Sequence, residues 1–94
     1  MTTLNVAHIQ EQGVNLIIVP LDRSFDSQTL AERMSVRDEI QVRAQSAGLA
    51  GFVSLIWETV SGRVAFIAHK NHHAFFQSIS LQYVWVRINR QLSW

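Results

Sequence analysis

The fold class follows from residues 52–69, which read Phe52-Val-Ser-Leu-Ile-Trp-Glu-Thr-Val-Ser-Gly-Arg-Val-Ala-Phe-Ile-Ala-His69. Two runs rich in Val, Ile, Phe and Trp flank Ser61 and Gly62, and this pattern predicts a β-hairpin. A two-residue loop of Ser61 and Gly62 would place Trp57 opposite Phe66. Because side chains alternate across a strand, we expect Trp57 and Phe66 to share the core face of the sheet.

The N-terminal segment predicts a second hairpin. Residues 14–21 are apolar at positions that would face both sides of a sheet, which is typical of a strand covered on both faces. Residues 3–9 alternate loosely between apolar and polar, and Gln12 with Gly13 offers the turn between the two strands. Pro20 cannot donate to a ladder, so this strand should end there or lie at an edge.

A helix is predicted between the two hairpins. Thr29 and Glu32 match a capping box, in which the threonine hydroxyl accepts from the glutamate amide and the glutamate side chain reaches back. Apolar residues then recur at helical spacing, with charged residues on much of the other side. Gly48 is a natural stop for this helix.

A second helix is predicted after the central hairpin, with Asn71 as its cap. Its apolar residues extend round most of the circumference, in two stripes that would need two partners. A strand over residues 79–88 is the alternative, because β-branched residues cluster there. The length of the segment and the helical spacing of its apolar residues favour the helix. These residues are Leu81, Trp85, Ile88 and Leu92.

The predicted order is ββαββα in a single α+β domain that spans residues 1–94. We expect a two-layer sandwich, with two helices on one face of a mainly antiparallel four-stranded sheet. The chain shows no motif that identifies a family.

The composition indicates a folded domain, since 48% of the 94 residues are hydrophobic and 16% are charged. There is no cysteine, which removes disulfides and thiolate chemistry and favours the cytoplasm. No N-terminal signal segment is visible, and no apolar run approaches the roughly 20 residues of a membrane helix. We therefore expect a soluble cytoplasmic protein with no membrane partner.

Charge is distributed unevenly along the chain. The net charge is +1, but residues 59–94 contain no acid. Their cations are Arg63, Lys70, Arg87 and Arg90. Such a segment can favour an anionic partner, and Tyr83, Trp85 and Trp94 could stack on bases. A nucleic-acid-binding regulator is therefore one alternative function, although the sequence pI of 8.4 is low for a dedicated binder.

Three histidines, His69, His72 and His73, lie within five residues where the second helix should begin. Imidazoles are common metal ligands, so a metal-dependent protein or small enzyme is a further alternative. No acid lies nearby in sequence, and we expect no metal and no cofactor. A weak anion site at the helix N-terminus is more consistent with the pattern, formed by Lys70, Asn71, His72 and His73.

Nothing in the sequence indicates catalysis. A nucleophilic triad needs Ser or Cys, His and an acid brought together, and the G-x-S-x-G nucleophile pattern is missing. The sequence therefore leaves enzymatic activity uncertain and favours a protein that is not an enzyme, with a small enzyme that uses the histidine cluster kept as an alternative.

The aromatic residues of the C-terminal segment favour protein–protein association. A 94-residue domain has a limited interior, and a helix that is apolar on two sides leaves one side for a partner. The main expectation is a non-enzymatic binding or adaptor domain that acts as a homodimer or on another protein. The predicted interface consists of Tyr83, Trp85, Ile88, Leu92 and Trp94.

Overall fold

Five strands form one mixed sheet, and helices cover both of its faces. The computed structural model describes residues 3–11 and 13–93. The strands and helices are β1 (Thr3–Glu11), β2 (Val14–Pro20), α1 (Leu30–Ser46), β3 (Phe52–Glu58), β4 (Val64–Ile67), α2 (His73–Ser78), α3 (Leu81–Trp85) and β5 (Arg90–Ser93). The α+β class is therefore confirmed. In the described part of the chain, no helix is both long and apolar enough to cross a membrane.

The sheet has the strand order β4-β3-β2-β1-β5. β2 runs parallel to β3, whereas the other neighbouring pairs are antiparallel. The prediction of a mainly antiparallel four-stranded sheet was therefore wrong, because the sheet has five strands and its two neighbouring strands β2 and β3 are parallel. The physical reason is the connection through α1, because a helical crossover joins strands that run in the same direction.

The prediction that both helices lie on one face was also wrong. α1 packs against a core that includes Ile17, while α2 and α3 pack against a second core that includes Ile18. Both of these neighbouring residues of β2 are fully buried. A strand that is apolar on both sides needs a layer on each side, so the molecule has three layers rather than two.

The ends of α1 follow the sequence prediction. The Glu32 amide donates to the Thr29 hydroxyl at 3.1 Å, and the Thr29 amide donates to the Glu32 carboxylate at 2.8 Å. The capping box is therefore confirmed. Gly48 follows the helix with a φ of 82°, a left-handed conformation that glycine adopts without strain.

The central hairpin forms with a register that differs by one residue from the prediction. Trp57 lies opposite Ala65, and Phe66 lies opposite Ile56. The loop is longer than Ser61-Gly62, because the Thr59 amide donates to the Arg63 carbonyl at 2.7 Å and closes a wider turn. Since a slip of one residue exchanges the two faces of a strand, Phe66 packs under α2 instead of beside Trp57.

The long C-terminal helix was a wrong prediction, and so was the alternative strand over residues 79–88. The helix breaks at Ile79, which is extended, and the Ser80 hydroxyl caps α3 by accepting from the Tyr83 amide at 3.2 Å. The chain then pairs β5 with β1. Asn89 starts this pairing, because its side chain accepts from the His8 amide and donates to the His8 carbonyl, both at 2.8 Å.

Candidate functional site

The five predicted interface residues do not share one helix face. Trp85 is 53% exposed, while Tyr83 and Ile88 are partly buried against the core under α3. Leu92 lies in β5, and only 3% of it is exposed because it packs into the core under α1. Trp94 lies outside the described residues. The structure therefore brings Tyr83, Trp85 and Ile88 together and separates Leu92 from them.

An apolar surface lies at the end of α3, formed by Trp85 and Val86, and we call it the Trp85 surface. These consecutive side chains are 53% and 67% exposed. The backbone beneath them is fixed, because the Val86 amide donates to the Gln82 carbonyl at 3.0 Å. The next residue is Arg87, whose guanidinium lies 3.6 Å from the centroid of the Tyr83 ring and donates to the Tyr83 carbonyl at 3.1 Å.

The three neighbouring histidines make separate local contacts. His69 Nδ1 accepts from the Asn71 amide at 3.2 Å, and His73 Nε2 donates to the Ala68 carbonyl at 3.0 Å. The His69 and His72 rings are 5.8 Å apart and tilted. Over residues 3–11 and 13–93, the structure shows no group of three or more His, Asp or Glu side chains placed to hold a metal ion.

The predicted anion-binding residues lie in a 3₁₀ turn (Lys70–His72) and at the first residue of α2, His73. α2 has six residues, so its dipole is small. Lys70 and Asn71 are exposed, whereas His72 is partly buried. His72 Nδ1 is a buried atom with no hydrogen-bond partner. Anion binding at this turn stays a prediction.

A cavity of about 570 Å³ opens between the β1–β2 hairpin and α2, and we call it the His72 cavity. It is lined by Glu11, Val14, Leu16, Asn71, His72, Ala74, Phe75 and Ser78. Sequence reasoning included Asn71 and His72 in a site but missed Glu11. Glu11 is about 60 residues away along the chain, and only the placement of α2 over the hairpin joins them.

Three of the described histidine rings are bound to the backbone. His8 Nε2 donates to the Ala50 carbonyl at 2.9 Å, so its ring is bound to backbone, as are those of His69 and His73. Within residues 3–11 and 13–93, no histidine hydrogen-bonds a carboxylate or a hydroxyl. Such a contact is what activates a serine nucleophile.

Asp26 is held in a structural network rather than in a site. Its carboxylate accepts from Trp57 Nε1 at 3.1 Å and from the Val60 amide at 3.4 Å, and Arg33 lies 3.8 Å away. The hydrogen bond from Trp57 is the main cause that lowers the pKa of Asp26. The hydrogen bond from the Val60 amide and the positive charge of Arg33 lower it further. Asp26 is therefore ionised at neutral pH and joins the loop before α1 to the central hairpin.

The cations of residues 59–94 differ from those of the first half. Among the described residues, each arginine before residue 59 forms an ion pair with a carboxylate, and no cation after it does. Arg87 and Arg90 lie on opposite sides of the sheet. Arg90 is two residues before Leu92 in β5, so both side chains point to the α1 side, away from Arg87.

Comparison of the chain with protein-family models, with curated proteins and with solved structures gives no match. Any function must therefore be inferred from the chemistry of its own residues. Two features stand out on the side of the sheet that α2 and α3 cover: the Trp85 surface and the His72 cavity.

Proposed function

We propose that this chain is a non-enzymatic binding domain that forms a homodimer through the Trp85 surface. The observation that carries the proposal is the exposure of two consecutive large apolar side chains, Trp85 at 53% and Val86 at 67%. Exposed apolar surface of this kind normally marks a contact site, and tryptophan is among the residues that contribute most to binding energy.

The surrounding residues support association at this place. The hydrogen-bonded turn after α3 holds Trp85 and Val86 before any partner arrives, which lowers the entropy cost of binding. Arg87 is four positions after Tyr83 and stacks on its ring, so its charge lies on a different side of the segment from Trp85. In a symmetric dimer the same surface meets itself, and this placement keeps the two Arg87 charges apart.

Sedimentation equilibrium over concentrations from low micromolar to millimolar tests the proposal. We expect the wild type to pass from monomer to dimer over this range and Trp85→Glu to stay a folded monomer, because a glutamate at an exposed position removes the apolar contact without disturbing the core. Leu30→Glu is the matched control, because Leu30 is 67% exposed on α1, on the other side of the sheet. The control should dimerise like the wild type, and a wild type that stays monomeric at every concentration would refute the homodimer.

Nucleic-acid binding is the second candidate, supported by the four cations of residues 59–94 that have no carboxylate partner in the described chain. Exposed Trp85 could stack on a base, and Arg87, on another side of the same segment, could contact a phosphate of the bound strand. Fluorescence anisotropy with a labelled single-stranded oligonucleotide separates the two functions. A nucleic-acid binder should show affinity that falls steeply with salt and that weakens in Arg87→Gln. The homodimer predicts no such binding.

A further inference from the structure

We propose that the His72 cavity binds a small organic ammonium compound that carries an apolar or aromatic body. The cavity lies beside α2, which is too short to cover the whole length of β2. Six helical residues span about 9 Å, whereas the seven residues of β2 span about 23 Å. The outer end of the hairpin at Val14, which is 42% exposed, is therefore left open to the cavity.

Glu11 supplies an unpaired negative charge to the cavity. Among the seven acids of the chain, Glu11 is the one for which the structure of residues 3–11 and 13–93 shows no hydrogen bond and no ion pair. It is nevertheless partly buried. A partly buried carboxylate without a partner is stabilised by a bound cation, because the cation replaces the hydration that the carboxylate loses.

The cavity selects by charge. Its lining includes Glu11 and no lysine or arginine. Because side chains alternate along β1, the Glu11 side chain lies on the same face as Ile9, which packs against the core under α2 and α3. The neutral polar groups come from Asn71, His72 and Ser78. Since a carboxylate or phosphate ligand would be repelled by Glu11, an ammonium group is the charged group that fits. His72 can either donate a hydrogen bond to the ligand or accept one from it, because an imidazole whose Nδ1 has no fixed partner can carry its proton on either nitrogen.

The apolar part of the ligand would lie against a fixed aromatic wall. The centroid of the Phe75 ring lies 5.5 Å from that of Phe76 and 6.0 Å from that of Tyr83, and both pairs are edge to face. These contacts hold Phe75 in place, and Val14, which also lines the cavity, adds an apolar side chain that is 42% exposed. A volume of about 570 Å³ lies within the usual range of small-molecule sites, roughly 300–1,000 Å³. An arylalkylamine matches both the apolar wall and the single carboxylate.

An NMR titration of the backbone amides with 2-phenylethylamine tests this inference. We expect saturable shifts at Asn71, Ala74, Phe75 and Ser78. The neutral isostere 2-phenylethanol should bind about tenfold more weakly, because a hydrogen bond to a charged group is stronger than a neutral one. The anion 3-phenylpropanoate should bind more weakly still.

The decisive variant is Glu11→Gln, which keeps the shape of the side chain and removes its charge. We expect its affinity for the amine to fall about tenfold, to that of the alcohol. Glu39→Gln removes the same charge from α1, on the opposite side of the sheet, and should leave the affinity unchanged. The absence of saturable shifts would overturn the inference, as would equal binding of amine and alcohol, or the same effect from both variants.

This inference does not depend on the homodimer. The amine should also bind the Trp85→Glu variant, because Trp85 does not line the His72 cavity. A wild type that binds the amine but stays monomeric, or one that dimerises but does not bind the amine, would therefore show which of the two proposals holds.

Discussion

The two faces of the sheet differ in how completely the helices cover them. On one face, α1 has 17 residues and is tied to the edge of β3: Arg37 donates to the Val53 carbonyl at 3.1 Å, and Gln41 accepts from the Val53 amide at 2.9 Å. On the other face, α2 and α3 have six and five residues. Over residues 3–11 and 13–93, the buried side-chain polar atoms without hydrogen bonds are Ser54 Oγ and His72 Nδ1, and both belong to residues of this second side.

This difference separates stability from binding. On the α1 face, polar side chains such as those of Arg37 and Gln41 are used in internal contacts with β3. The face of α2 and α3 keeps an open cavity, an unpaired carboxylate at Glu11 and the exposed Trp85. Both proposed binding functions therefore lie on the less completely covered face.

The largest expected effect compares two tryptophans, one on each face. Trp57→Ala should lower the free energy of unfolding by about 3–5 kcal/mol, because Trp57 is 2% exposed and packs edge to face on Phe25 at 5.0 Å. Trp85→Ala should lower it by less than about 1 kcal/mol, because half of that side chain is already in water. Urea denaturation of the two variants, at a concentration where the protein is monomeric, measures both.

Similar losses from the two substitutions would contradict the distinction between the faces. Trp57→Phe serves as the matched control, since it keeps an aromatic ring in the core and removes the hydrogen bond to Asp26. The decrease in the free energy of unfolding for Trp57→Phe should lie between those for Trp57→Ala and Trp85→Ala.

The α1 face was predicted well because its signals are local. The capping box of Thr29 and Glu32 and the stop at Gly48 each lie within one helical turn of the helix end that they define. The choice of Trp57 as a core residue was right as well. Its partner Phe66 was assigned to the wrong face, because the loop is closed by Thr59 and Arg63 rather than by the glycine signal alone.

The other face was predicted poorly because its structure depends on distant contacts. Residues 81–92 are apolar at helical spacing, and nothing local shows that the helix ends at Trp85. β5 forms because Leu92 can pair with Leu4 at the other end of the chain. The His72 cavity likewise joins Glu11 to α2, and this juxtaposition exists only once the sheet is assembled.

A smaller effect is expected at Ser54. This residue is fully buried and its hydroxyl has no hydrogen-bond partner. Ser54→Ala should leave the free energy of unfolding unchanged or raise it by up to about 1 kcal/mol, because it removes an unsatisfied polar group. Ser27→Ala is the control and should be slightly destabilising, because the Ser27 hydroxyl donates to the Ser24 carbonyl at 2.8 Å. A clear loss of stability in Ser54→Ala would mean that the hydroxyl is satisfied.

The smallest effect concerns pH and the Asp26 network. Trp57 lowers the pKa of Asp26 in the folded state, whereas an unfolded aspartate titrates near about 3.9. The carboxylate therefore stabilises the fold fully above that pH, and this contribution is lost as the pH falls through the lower folded pKa. Urea midpoints should fall below about pH 4, and less steeply in Asp26→Asn than in the charge control Asp38→Asn. Equal slopes in the two variants would contradict the role of Asp26.

The face used for association can be identified by recording amide NMR spectra of the wild type during serial dilution from millimolar to low micromolar concentration. If the protein dimerises through the Trp85 surface, the shifts that change with concentration should be confined to residues 81–88, and they should be absent in Trp85→Glu. Amides of α1 should not move. Shifts concentrated at Leu30 and the rest of α1, or no shifts at any concentration, would contradict a binding surface on the face of α2 and α3.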